Sequence, residues 1–182
     1  MSFQAYLDNI KAKTGKTPED FRELAAQKGL VKSGEIVAWL KQEFGLGHGH
    51  ASAIAGLLVQ GEKFKASPPD KVAMLFSGNK AALRPIYDLL AREIGEFGAD
   101  ISLSPNLTYV NVQRGGKKFA ILQPSSAERL DVGIKLKIAA PTDRFEASGS
   151  WNAMVSHRVG LASVNEVDAE LLDWLRRAYA AV

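Results

Sequence analysis

The residues best suited to chemistry include a glycine-rich run that carries two of the three histidines of the chain, Gly45-Leu46-Gly47-His48-Gly49-His50. Glycines before a helix leave its first amides open to an anion, because no side chain blocks the approach. We therefore take Gly45, Gly47, His48 and His50 as candidate contacts to phosphate or nucleic acid. The alternative is a glycine turn between two helices, with one of the histidines as a cap.

These histidines do not predict a metal site. His48 and His50 form an H-x-H pair, and His157 lies far from them in the sequence, on the apolar side of a predicted strand. Such a pair needs further ligands to hold a metal, and the chain contains no cysteine. We expect no metal and no cofactor, and we interpret His157 as a histidine of the core.

A predicted hairpin carries the second candidate surface. Gly115-Gly116 lies between two segments of alternating apolar and polar residues, which is typical of a two-residue turn. The simplest register pairs Val112 with Phe119 and Val110 with Ile121. This register predicts that the four apolar side chains lie together on the buried face.

The opposite face of the hairpin carries Tyr109, Asn111, Gln113 and Lys118. Basic residues exceed acidic ones from 114 to 137, where Arg114, Lys117, Lys118, Arg129, Lys135 and Lys137 accompany Glu128 and Asp131. A ring among amides and bases is typical of sheets that stack nucleobases and hold phosphates. With one aromatic residue and two acids among the bases, we expect at most weak nucleic-acid binding through Lys117 and Lys118. The alternative is a solvated face.

Four more residues are candidates for binding a small ligand. Arg129 and Asp131 lie two positions apart on a predicted strand, so they can form a local ion pair. Trp151 and Asn152 lie in a loop of serine and glycine, where the indole can form the wall of a pocket or close the end of a core. Together with Tyr109 and Asn111, they are our candidate ligand-binding residues.

No motif of a familiar enzyme class occurs in the chain. There is no G-x-S-x-G, phosphate-binding Walker loop or H-E-x-x-H sequence, and no cysteine nucleophile. We therefore predict no catalytic residue and interpret the chain as a protein that binds a small molecule or a protein partner. Weak binding of nucleic acid is one alternative, and a small-molecule enzyme with its site near Trp151 is another.

Two modules are predicted to position these residues. The first, residues 1–60, reads as four short helices separated by glycines, with Thr17-Pro18-Glu19-Asp20 and Ser33 as helix starts. A polar, proline-containing linker follows at 61–69. Residues 70–182 then combine helices at both ends with strands over 107–113, 118–124, 130–138 and 155–161. This pattern predicts an α+β domain whose antiparallel sheet has its helices packed on one face.

The composition and the apolar stretches of the sequence also predict where in the cell the protein resides. The chain has 182 residues, 46% of them hydrophobic, and a net charge of +3. No apolar stretch is long enough to span a bilayer, and no basic segment leads into an apolar run at the start. We expect a cytoplasmic protein without membrane contact.

Both modules resemble bacterial domains of unknown function. Residues from Phe3 to Leu58, especially Phe44-Gly45-Leu46-Gly47-His48-Gly49-His50-Ala51, resemble a short helical one, and residues from Val72 to Tyr179 resemble another. The second resemblance is carried by Leu83-Arg84-Pro85-Ile86-Tyr87, Thr108-Tyr109-Val110, Lys118-Phe119-Ala120, Gln123-Pro124, Arg129-Leu130-Asp131-Val132-Gly133 and Val164–Tyr179. The second module is also similar to the C-terminal domain of larger bacterial proteins with predicted nuclease or restriction-type domains. The resemblance implies a two-module bacterial family and carries over no reaction.

Overall fold

A computed structural model gives the architecture of residues 3–137 and 139–182. The chain divides into two units, residues 1–66 and 67–182. Helices form the first unit, and a six-stranded antiparallel sheet with helices forms the second. The protein is therefore of the α+β class, as the sequence predicts.

The first unit contains four α-helices and a short 3₁₀ segment. The helices are α1 (Phe3–Thr14), α2 (Pro18–Gln27), α3 (Ser33–Phe44) and α4 (His48–Gln60), and Gly61–Lys65 forms the 3₁₀ turn. Thr17 caps α2, since its hydroxyl accepts from the Asp20 amide while the Asp20 carboxylate accepts from the Thr17 amide. The prediction that Ser33 caps α3 is wrong: Lys32 is the N-cap without a side-chain bond, because Ser33 already has helical backbone.

Ten buried residues form the core of the first unit. They are Ile10, Phe21, Ala25, Ile36, Trp39, Leu40, Leu46, Ala51, Ile54 and Ala55. The Phe21 ring is fully buried and meets Phe44 and Trp39 edge to face, with centroids 5.1 and 6.3 Å away. Rings in this arrangement attract one another beyond the area that they bury.

The second unit is a sheet with its helices on one face. Its helices are α5 (Pro68–Leu75), α6 (Arg84–Gly95) and α7 (Ala169–Ala180), with 3₁₀ turns at Gly78–Leu83 and Val164–Glu166. Its strands are β1 (Ile101–Pro105), β2 (Val110–Arg114), β3 (Lys117–Pro124), β4 (Leu130–Ile134), β5 (Glu146–Ala147) and β6 (His157–Leu161), in the order β1-β2-β3-β4-β6-β5. β1 and β5 were not predicted, and the strand predicted over 130–138 ends at Ile134, with Ile138 outside the described residues.

The hairpin β2–β3 has the predicted turn but a different register. Gly115 and Gly116 connect Arg114 to Lys117, both with the positive φ of such a turn. Beyond Gln113 the register shifts, so that Val112 faces Ala120 and Val110 faces Leu122. A bulge at Phe119 causes this shift, because one extra residue on β3 opposes β2. The predicted pairs, Val112 with Phe119 and Val110 with Ile121, are therefore wrong.

The bulge also moves Ile121 to the opposite face of the sheet. Val110, Val112 and Phe119 belong to the core beneath the helices, whereas Ile121 pairs with Asn111 on the outer face. Ile121 is nevertheless fully buried, so residues beyond the sheet cover part of this face. Those residues belong to the loop that carries Trp151, described below.

His157 lies in the core, on the helix side of β6, as interpreted from the sequence. It is 3% exposed, and its ring stacks on Phe145 with a centroid distance of 4.1 Å. Phe145 in turn stacks on Trp174 of α7 at 4.4 Å. The imidazole Nδ1 lies 2.9 Å from the Ser156 hydroxyl. Burial lowers the pKa of His157, although a bond with the Ala139 backbone acts in the opposite direction.

Mild acid is expected to destabilise the protein through His157. Its pKa in the folded chain lies below the ordinary value of about 6.5, so the unfolded state takes up the proton first. Stability is therefore complete above about pH 6.5 and falls as the pH drops below it, by up to about 1.4 kcal/mol per pH unit. Urea unfolding between pH 7.5 and 5.5 measures this slope. H157Q is expected to flatten it, and an unchanged slope in H157Q would contradict the assignment.

Candidate functional site

The face of the sheet opposite the helices carries the most concentrated polar chemistry of the second unit. Val132, Ile134 and Val159 of β4 and β6 point into the core beneath the helices. Because side chains alternate along a strand, Asp131 and Arg158 belong to the other face. Asp131 pairs with Gly160 and Gly133 with Arg158 across the two strands, so these residues form one compact patch.

Asp131 is the centre of this patch. Its carboxylate is 1% exposed, and the Nε of Arg129 donates to its Oδ1 at 2.7 Å. The Nε of Arg158 lies 3.9 Å from the same oxygen. A buried carboxylate is costly unless cations and donors compensate it, so Asp131 holds both guanidinium groups close to the sheet.

Two glycines of the outer face, Gly160 and Gly133, lack a Cβ and so leave space for the side chains that cover them. A Cβ at Gly160 would lie 2.6 Å from the Arg129 Cζ, so the guanidinium of Arg129 rests directly on the backbone of β6. A Cβ at Gly133 would lie 2.9 Å from the Trp151 ring and 3.0 Å from Val155. The loop that contains Trp151 therefore covers β4, which explains why the outer face is partly buried.

Hydrogen bonds fix the loop that carries Trp151. The Ser148 amide donates to the Ser156 carbonyl at 2.9 Å, and the Ser148 hydroxyl donates to the Val155 carbonyl at 2.7 Å. The Asn152 carboxamide accepts from the Met154 amide at 3.0 Å, so it shapes the loop from within. The Arg158 guanidinium carbon lies 5.5 Å from the centroid of the Trp151 ring, within cation–π range.

A cavity of about 430 Å³ opens beside Arg129. It is lined by Arg129, Asp143, Arg144, Glu146, Gly160, Leu161, Ala162 and Glu166. Arg144 is fully engaged in holding its loop to α7, since it donates to the carboxylates of Asp168 and Glu170 at 2.7 and 2.8 Å. The terminal nitrogens of Arg129, in contrast, make no hydrogen bond within the described part of the chain. They are the donors that this cavity offers to a ligand.

Two buried polar atoms of the outer face have no hydrogen-bond partner among the described residues. One is the Nε of Arg158, and the other is the Oδ1 of Asn111. Asn111 is 6% exposed, and its Nδ2 donates to the Ser104 carbonyl at 3.2 Å. Buried polar atoms are normally hydrogen-bonded, so these two have capacity left for a ligand or for water.

The structure brings together part of the predicted ligand site. Arg129, Asp131 and Trp151 form one cluster, and Asn152 belongs to the loop of Trp151. Asn111 lies on β2, two strands from β4, and half-buried Tyr109 immediately precedes that strand. Sequence reasoning missed Arg158, which completes the cluster. Its position between His157 and Val159 placed it on the outer face, but the sequence did not show that β6 lies next to β4.

The other predicted residues lie apart from this cluster. Lys117 and Lys118 are exposed at the start of β3, at the far end of the strand from the residues that pair with Asp131. Gly45 has positive φ at the end of α3, and Gly47 is the N-cap of α4. Neither neighbouring histidine caps α4: His48 approaches Ser52 at 3.5 Å, and His50 lies against the Tyr6 ring. Within residues 3–137 and 139–182, no three histidines or carboxylates come together as metal ligands.

The clearly shifted pKa values of acids in the described residues reflect hydrogen bonds that stabilise the carboxylate form. Each carboxyl group whose pKa departs clearly from its usual value has it lowered, namely Asp20, Glu43, Asp100, Glu166 and Asp168. Amides of Ala162 and Ser163, for example, lower the pKa of Glu166 by donating to its carboxylate. A carboxylic acid that donates a proton at neutral pH needs a raised pKa instead.

The sheet, its one-sided helices and its arginine–aspartate cluster define an α+β module, and comparison with family models assigns it to a family. Residues 72–181 match the model of Domain of unknown function (DUF5655), and the chain belongs to this family. Residues 2–59 match Domain of unknown function (DUF4287). These matches confirm the two modules of unknown function that the sequence resembles. Neither curated proteins nor solved structures include a match.

No helix in the described part of the chain combines the length and the apolarity needed to cross a bilayer.

Proposed function

We propose that this chain is a cytoplasmic binding protein and that its DUF5655 module holds a small ligand through an anionic group, a carboxylate or a phosphate. The observation that carries the proposal is the arrangement of Arg129. The Asp131 carboxylate accepts from the Arg129 Nε at 2.7 Å, and the Arg129 side chain lines a cavity of about 430 Å³. That volume lies within the usual range for small-molecule pockets. The lack of cysteine fits a reducing compartment.

Arg158 and Trp151 add to the anion site. Arg158 reaches the same carboxylate, and its outer contact is a loose pair with Glu146 at 3.4 Å, half of whose side chain is exposed. An anionic ligand can displace Glu146 because an exposed ion pair contributes little. The guanidinium groups then have donors for the two or three oxygens of the anion, in the geometry that arginine offers to such groups. Trp151 does not line the cavity but packs against Arg158, whose guanidinium carbon lies 5.5 Å from the centroid of its ring.

Binding fits the site better than acid–base catalysis. The carboxyl groups with clearly shifted pKa values have them lowered by partners within the chain, and Asp131 is occupied by two arginines. The cluster consequently holds the guanidinium groups of Arg129 and Arg158 at fixed positions around Asp131. Fixed donors of this kind recognise an anion without moving a proton.

The test is a titration with inorganic phosphate and with citrate at constant ionic strength, followed by NMR. The indole signal of Trp151 and the Nε–H signals of Arg129 and Arg158 are expected to shift and to saturate below about 10 mM. R129Q and R158Q are each expected to weaken binding at least tenfold. R177Q is the matched control, because Arg177 is an exposed arginine of the same unit whose ion-pair partner is Asp173 rather than Asp131.

The G160A variant tests the position of the Arg129 guanidinium without changing the net charge of the protein. The new methyl group would occupy the place of the Arg129 guanidinium, which can move aside because it ends a flexible side chain. Net charge stays the same, so loss of binding in G160A shows that the position of Arg129 matters. Absence of a saturable shift for both anions, or equal binding by R129Q, R158Q and R177Q, would overturn the proposal.

A further inference from the structure

Four lysines lie together at the end of the sheet that is remote from Asp131. Lys117 and Lys118 begin β3, and Lys135 and Lys137 follow β4. The Lys135 amide donates to the Phe119 carbonyl at 2.8 Å, which sets Lys135 opposite Phe119 and one position along β3 from Lys118. All four side chains are exposed, and none makes an ion pair with another described residue. We call this group the lysine end of the sheet.

The acids that accompany these lysines in the sequence do not neutralise them. Asp131 pairs with Gln123, at the opposite end of β3 and β4, and Glu128 precedes β4. Four residues of strand separate Asp131 from Lys135, which corresponds to about 13 Å. That exceeds the Debye length of about 8 Å at physiological salt, and Asp131 is already compensated by Arg129. The sequence-based expectation that these acids weaken the basic stretch therefore does not apply to the folded chain.

The acid beneath the hairpin turn is also engaged. Asp100 binds the Arg114 Nε at 3.0 Å through one oxygen and the Tyr179 hydroxyl at 2.7 Å through the other. The lysine end thus keeps its positive charge, and its natural partner is a polyanion. The described apolar neighbours Phe119 and Leu136 are 0% and 2% exposed, so neither of these two residues offers an apolar group for insertion into a bilayer.

We propose that the lysine end docks the phosphate backbone of nucleic acid, independently of the small-ligand site at Arg129. Lysine ammonium groups act as point charges toward phosphates and read no sequence. Binding is consequently non-specific and in the range of about 10⁻⁴–10⁻⁶ M at physiological salt.

Fluorescence anisotropy of a labelled 20-nucleotide single strand and of a matching duplex tests this proposal between 25 and 200 mM salt. With four phosphate contacts, the logarithm of the binding constant is expected to fall with the logarithm of the salt concentration with a slope of about −2.8 for the strand and −3.6 for the duplex. K117Q/K118Q and K135Q/K137Q are each expected to flatten the single-strand slope by about 1.4.

The matched control is K11Q/K13Q, which removes the same charge from exposed positions of α1. It is expected to leave the slope unchanged, as are R129Q and R158Q, so the outcome is separate from that of the small-ligand site. Equal slopes in all variants would overturn the proposal. So would lysine-dependent sedimentation with phosphatidylserine vesicles without oligonucleotide binding, because the partner would then be a membrane surface.

Discussion

Replacing Phe145 with alanine is expected to lower the free energy of unfolding of the second unit by about 3–5 kcal/mol. Phe145 is 1% exposed and lies between two rings, His157 at 4.1 Å and Trp174 at 4.4 Å. Alanine loses the buried area of the ring and leaves a cavity between β6 and α7. Urea unfolding followed by circular dichroism measures the change.

The F145L variant separates the contribution of ring stacking to stability from that of the buried apolar volume. Leucine keeps most of the apolar volume but makes no ring stack, so its cost is expected to be about 1–3 kcal/mol for the two lost contacts. A cost below about 1 kcal/mol for F145A would contradict the central place of this ring. The stack also connects the candidate site to the core, because β6 carries both His157 on its inner face and Arg158 on its outer face.

The elements with strong local signals were predicted from the sequence. Thr17 and Asp20 specify the start of α2 through their side-chain chemistry, and Gly115-Gly116 specifies the turn of the hairpin. Such signals act over a few residues, so they do not depend on the rest of the fold. β1 alternates between apolar and polar residues, but it was missed because it is only five residues long and ends in a proline.

The register of the β2–β3 hairpin could not be predicted from the local sequence alone. Counting outward from the turn gives the correct pairs for Arg114 and Gln113, but the bulge at Phe119 changes each pair after them. Phe119 and Ala120 are neighbours that both contact the same core. Packing against the helices, which the sequence does not display, favours the bulge and puts Ile121 on the outer face.

The candidate site depends on long-range pairing in the same way. Arg129 and Asp131 are two residues apart, and their ion pair was foreseen from that spacing. Arg158 joins them only because β6 lies beside β4 in the sheet order. Gly160 likewise became informative only when the Arg129 guanidinium was found on its backbone. Similarly, the lysine end forms because antiparallel strands gather residues from 117–118 and 135–137.

Replacing Phe21 with alanine is expected to unfold the first unit while the second stays folded. Phe21 is fully buried against Phe44 and Trp39, and its loss costs about 3–5 kcal/mol. A single core in a unit below about 70–80 residues rarely supplies more than about 3–5 kcal/mol, so one such substitution removes most of its stability. Both cores are complete within their own units.

The three tryptophans make the measurement selective, since Trp39 lies in the first unit and Trp151 and Trp174 lie in the second. In F21A, the indole NMR signal of Trp39 is expected to move to its unfolded position while the other two keep theirs. F21L is the control and is expected to retain all three native signals. Collapse of all three signals together in F21A would show that the units fold as one. A native Trp39 signal in F21A would contradict the role of Phe21. Removal of this fully buried ring leaves a cavity, and a core of this size has too little stability to tolerate that cavity.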